Sequence, residues 1–82
     1  MRYKQKPLTV EAFRYEGNTD NFPKWAMVAL SNRVLKYLGK ELYVITLDGR
    51  TRVAVGDYIV KGAEHEIFPC NADKFERTYD EV

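Results

Sequence analysis

The chain is poor in the residues that build covalent staples and metal centres. It has one cysteine and one histidine in 82 residues. A single cysteine excludes an internal disulfide framework and fits a reducing cytosol. A metal site needs three or four ligands, so carboxylates would have to complete any set begun by His65 and Cys70. Asp57, Glu64 and Glu66 lie near them without a ligand spacing, and no metal is expected. No apolar run approaches the roughly 18 residues of a membrane-spanning helix. The opening MRYKQKP has no apolar stretch behind it and does not read as a signal peptide. Phosphate-loop chemistry is lacking too: Gly56 and Gly62 have the glycine offset, but Ala63 and Glu64 stand where Lys and a hydroxyl are required, in a strand context. No cofactor is expected.

The composition is that of one small folded domain. An apolar content of 45% and an aromatic content of 13% argue against disorder. A chain of this length buries roughly 60–65% of its unfolded surface, so its core is thin. Six Tyr, four Phe and one Trp supply much of it as ring carbon. The net charge of +1 is unevenly placed. Residues 1–41 carry eight Lys/Arg against four Asp/Glu, and residues 42–82 carry five against eight, giving halves of +4 and −3. Mutual attraction and solvated faces account for that asymmetry without a partner.

The organising stretch is VAVGDYIVKGAEHEIFPC, from Val53 to Cys70. Gly56-Asp57 separates two short β-branched pieces, and Gly62-Ala63-Glu64 punctuates the chain again before Ile67-Phe68. Pro69 cannot donate to a ladder, so its strand ends there or runs along a sheet edge. The stretch reads as strand, turn, strand, turn, strand.

GDYIVKG followed by EIFPC, then Phe75 and Thr78-Tyr79, resembles a family of small phage and prophage proteins of unknown function. That family opens with a basic segment and a KP-x-x-VEA strand, which Lys6-Pro7-Leu8-Thr9-Val10-Glu11-Ala12 matches. Its central pattern is matched at Gly56, Asp57, Tyr58, Ile59, Val60, Lys61, Gly62, Glu66, Phe68, Pro69 and Cys70. His65 departs from it, because the family often has Gly there. The resemblance implies phage origin and a compact fold. It implies no activity. A phage-encoded protein would work in the cytoplasm of its bacterial host.

Along the chain, Arg2, Lys4 and Lys6 suggest a basic edge strand. Leu8 to Ala12 alternates as a half-buried strand, and Phe13-Arg14-Tyr15 shifts the phase as a bulge would. Thr19, Asp20 and Asn21 offer caps for a helix with Pro23 in its first turn. Phe22, Trp25, Ala26, Ala29 and Leu30 form its apolar stripe, with Trp25 a core anchor; Met27 and Val28 lie off the stripe, as second-layer core in the first instance or else as an exposed apolar patch. Asn32 is expected at the left-handed stop. Arg33 to Leu38 reads as a strand turned back by Gly39-Lys40. Leu42 to Leu47 is the strongest strand signal, closed by a type I′ turn at Asp48-Gly49 onto Thr51, Val53 and Val55. Asn71 caps a last short helix with Ala72, Phe75, Tyr79 and Val82 on one face. The expected fold is α+β: a curved antiparallel sheet of five or six strands, one amphipathic helix packed on it and a short C-terminal helix.

Function is not dictated by any motif. A Cys70–His65 pair is the one nucleophilic combination, but an odd spacing on one strand puts the two on opposite faces. Tyr37, Tyr43, Tyr58 and Phe68 lie on strands near Lys36, Lys40, Arg50, Arg52 and Lys61, a pattern that single-stranded nucleic acid could use. The expectation is a non-enzymatic binding module that engages a host or phage protein, with an anti-defence role suggested through the resemblance. Binding is assigned to Tyr58, Lys61, Glu64, His65 and Glu66, whose mixed charge suits a protein partner. A nucleic-acid or nucleotide binder is the alternative, and a Cys-dependent enzyme a weaker one. No membrane partner is expected; the oligomeric state is left open.

Overall fold

A computed structural model describes residues 10–79. The expected strand around Arg2, Lys4 and Lys6, the start at Leu8-Thr9 and the place of Val82 lie outside the described residues. The elements run β1 (Glu11–Arg14), α1 (Lys24–Ser31), β2 (Leu35–Leu38), β3 (Glu41–Thr46), β4 (Gly49–Val53), β5 (Tyr58–Lys61), β6 (Ile67–Cys70) and α2 (Ala72–Thr78). The α+β class is as expected. The single curved sheet is not: the strands form two three-stranded sheets, ordered β1-β5-β6 and β2-β3-β4. Among the described residues every pairing is antiparallel.

The break lies at Ala54–Asp57. Gly56 takes φ +96, and Asp57 N–H donates to the Ala54 carbonyl at 3.0 Å. The Gly56 amide then donates to Tyr15 O at 2.8 Å, and the Tyr15 amide to Asp57 O at 2.8 Å. These bonds hand the chain from β4 to the end of β1, so β5 pairs with β1 rather than continuing the meander. Val55, placed on β4 by its alternation, falls in this crossing and is 70% exposed.

Loop chemistry explains the rest of the layout. Leu38 faces Glu41 across Gly39-Lys40, with φ +66 at Gly39 and no positive φ at Lys40, the φ signs of a type II′ turn. The next hairpin sits one residue earlier than expected. Thr46 pairs with Gly49, so the loop is Leu47-Asp48; neither has positive φ, and the glycine, at φ +129, begins β4. A type I′ turn needs positive φ at both loop residues, so this turn is of another kind. In β1 the register from Glu11↔Lys61 to Arg14↔Tyr58 is continuous, and the two-against-one pattern of a bulge comes at Tyr15, which faces both Gly56 and Asp57 on the partner segment. Pro69 lies in β6, an edge strand, where a missing N–H is tolerated.

Helix α1 begins without a side-chain cap. Pro23 is its N-cap, and Asn21, instead of capping, donates from Nδ2 to Arg14 O at 2.8 Å, tying the loop to β1. At the other end Arg33, not Asn32, is left-handed, at φ +62. Arg33 N–H donates to Leu30 O and Val34 N–H to Ala29 O, the paired bonds of a Schellman stop. Asn71 caps α2 as expected, its Oδ1 accepting from the amides of Asp73 at 2.9 Å and Lys74 at 3.4 Å.

The main core joins both sheets and α1: Tyr15, Ala26, Ala29, Leu35, Leu42, Val44, Val53 and Ile59. Central strand β5 is buried on both faces, since neighbours Ile59 and Val60 are each fully inaccessible. Each such side chain contributes about 1.5–3 kcal/mol relative to exposure. The Val60 face carries Tyr58, on which Phe75 of α2 stacks at 4.1 Å.

Candidate binding groove

Antiparallel register fixes what the two faces of β1-β5-β6 can present. Glu11 faces Lys61, and Lys61 faces Ile67, so the three share the face that also bears Phe13 and Ile59. Phe13 and Ile59 reach the core, where Phe13 meets Trp25 edge-on at 5.4 Å. One step further along the strands the core runs out. Between that end of the sheet and α1 an open groove of about 590 Å³ remains, lined by Glu11, Lys24, Trp25, Val28, Asn32, Val34, Lys61, His65 and Ile67.

The groove has an apolar floor and a charged rim. Trp25, Val34 and Ile67 are half-buried in its walls. Val28 is 49% exposed and its neighbour Met27 46%, so of the two alternatives the exposed apolar patch holds and the second core layer does not. The reason is geometric: WAMVAL, residues 25–30, is apolar without a break, and one sheet face covers only one side of a helix. Trp25 is likewise a wall of the groove as well as a core contact. On the rim, Lys61 Nζ stands 3.5 Å from Glu11 Oε2.

The turn after β5 closes one end. Gly62 N–H donates to Glu66 O at 2.8 Å, and His65 N–H to Gly62 O at 3.0 Å. His65 sits at φ +68, where a Cβ is strained. Glu66 folds its carboxylate back over Gly62, and Oε2 accepts the Glu64 amide at 3.0 Å. A Cβ on Gly62 would overlap that carboxylate and push it aside, so this glycine matters through its close approach to Glu66 rather than through its φ. Glu66 thus builds the turn.

Of the five residues assigned to binding from the sequence, Lys61 and His65 come together on the groove. Glu64 is exposed on the adjoining turn, and Tyr58 lies on the opposite face under Phe75. The groove adds Trp25, Val28 and Glu11, which sequence reasoning had placed in core or strand. The unbroken apolar run of α1 was the signal for Trp25 and Val28; Glu11 carries none beyond its place opposite Lys61.

The other chemistries are distributed differently. Cys70 is buried at the end of β6 opposite Tyr58, whereas His65 lies beyond the Lys61↔Ile67 pair at the other end. The strand between them spans about 10 Å, so a thiol–imidazole pair is not assembled. Among the nucleic-acid candidates, Tyr37 turns toward the core and Tyr58 and Phe68 lie on the α2 side of the first sheet. Tyr43 alone shares a face with Lys36, Arg50 and Arg52. Among the described residues no group of acidic, His and Cys side chains could hold a metal, and no helix is long and apolar enough to cross a membrane.

Compared with known protein families, with curated proteins and with solved structures, the chain matches none.

Proposed function

We propose that this chain is a non-enzymatic binding protein that seats a segment of a partner protein in the groove between α1 and the β5–β6 turn. The observation that carries the reading is the groove's composition: an apolar wall with exposed Val28, rimmed by both charge signs at Glu11, Lys24 and Lys61. An apolar centre with a polar rim is the anatomy of protein interfaces. A phosphate backbone would select cations alone. The strained His65 turn beside it supports the same assignment, since backbone strain gathers at functional sites. With the phage resemblance, the partner is a host or phage protein met in the host cytoplasm, and modulation of host defence is the role that follows.

The test is a comparative pull-down from bacterial lysate with the wild-type chain, Val28→Asp and Lys61→Glu. Val28 is on the surface of the groove, so Val28→Asp should keep the wild-type melting temperature; Lys61→Glu sets a carboxylate opposite Glu11 and should melt somewhat lower, so the pull-down is run well below its transition. A partner retained by the wild type and lost by both variants, with weak dependence on salt, supports the groove. A partner held equally by all three places binding elsewhere.

A further inference from the structure

We infer that the outer face of β2-β3-β4 is a second binding surface, one that takes single-stranded nucleic acid. This surface is separate from the groove and does not depend on the reading above. The register places Lys36, Tyr43 and Arg52 side by side across the three strands, on the face opposite buried Leu42 and Val44. Adjacent strands are about 4.8 Å apart, so the two cations flank the ring with their backbones about 10 Å apart. Arg50, in the next row, holds its guanidinium 5.3 Å from the Tyr43 ring centroid. Lys36, Arg50 and Arg52 are all exposed. An aromatic ring centred among cations on an open sheet is the arrangement that stacks a base while its phosphates are neutralised.

The positions a ligand would take are filled from within the chain. The Arg50 guanidinium, a flat cation, occupies the space over Tyr43 where a base would stack. Glu41 supplies the anion: its Oε1 lies 3.3 Å from Arg52 Nη1, and its Oε2 accepts from the Tyr43 hydroxyl at 3.1 Å. A phosphate oxygen offers the same acceptor geometry to the same two donors, with more charge. Glu41 therefore stands in for a phosphate and competes with one. The charge balance of this row selects an anionic ligand, and the ring selects one with exposed π faces, which excludes a paired duplex as the preferred form.

The test is fluorescence anisotropy of a labelled 12-nucleotide oligothymidylate with the full chain at 50 and 200 mM salt. Binding should weaken by about 20-fold across that range if three phosphates are contacted. Tyr43→Leu should weaken it by about tenfold, and Tyr43→Phe should weaken it by less than Tyr43→Leu does, because the stacking surface remains and only the hydroxyl donor is lost. Glu41→Gln should tighten it severalfold by removing the internal competitor. Val28→Asp, in the groove, should leave it unchanged. Melting curves of each variant separate loss of binding from loss of fold. The inference fails if the oligonucleotide does not bind at 50 mM salt, or if a duplex of equal length binds as tightly. It fails also if binding ignores both Tyr43→Leu and Glu41→Gln, which would leave only unspecific attraction to basic segments such as Arg2, Lys4 and Lys6.

Discussion

The hydroxyls of Tyr15 and Tyr37 lie 2.9 Å apart and share a hydrogen bond across the two sheets. Tyr15 follows β1 and is 2% exposed; Tyr37 belongs to β2. Burial, and then the bond to Tyr15, push the Tyr37 hydroxyl well above the usual tyrosine range. From about pH 10 upward the unfolded chain releases a proton that the folded chain keeps, so rising pH favours unfolding. The stability this group contributes is fully present below about pH 10 and is lost as pH climbs toward its folded-state value. Tyr37→Phe should cost about 1 kcal/mol at neutral pH and should flatten the decline in urea midpoint between pH 9 and 11. An equally steep alkaline decline in the variant would show that another group is responsible.

Gly62 and Glu66 should behave as one unit. Gly62→Ala would displace the carboxylate from above the turn and leave the Glu64 amide to solvent. Each of Gly62→Ala and Glu66→Ala should cost about 1 kcal/mol, and the double variant should cost little more than either. Simple additivity in urea denaturation would refute the coupling.

His65→Gly should stabilise the fold, because glycine relieves a left-handed residue held at φ +68. The expected gain is about 1 kcal/mol, or roughly 4–8 °C in melting temperature for a domain of this size. Groove binding should weaken in the same variant if the imidazole contacts the partner. A lower melting temperature would mean that the ring makes stabilising contacts outweighing the strain.

Trp25, the single tryptophan, reports on the groove directly. Its emission should shift to shorter wavelength when a partner fills the groove and should stay constant when oligothymidylate binds the opposite sheet. Trp25→Ala should cost about 2–3 kcal/mol, less than a fully buried ring, because one side already faces the groove. An emission change with the oligonucleotide would merge the two surfaces into one.

The features legible in the sequence are those whose cause is local. Asn71 reads as a cap because its amide oxygen serves amides two and three residues on. Gly39 and Gly56 read as turns because their φ needs no Cβ, and the β3–β4 hairpin reads within one residue because Leu42 and Val44 alternate toward the core. The split into two sheets was not legible. Whether Val60 pairs toward β4 or toward Ala12 is decided by bonds between Tyr15 and Gly56-Asp57, which no periodicity encodes. The site was half legible for the same reason. Lys61 and His65 stand out at a turn, but Trp25 and Val28 take their roles from where the sheet stops covering α1.

The same topology has a consequence in time. The β2-β3-β4 meander closes through two-residue loops, whereas Phe13 must wait for Ile59, 46 positions later. Closing so long a loop before any contact rewards it is slow, so the meander should order first and the β1–β5 pairing should limit the folding rate. Pulse-labelled hydrogen exchange would then protect the amides of β3 before those of β1. During synthesis β1 leaves the ribosome well before its partner β5 is made, and Phe13 stays open to misassociation for that interval.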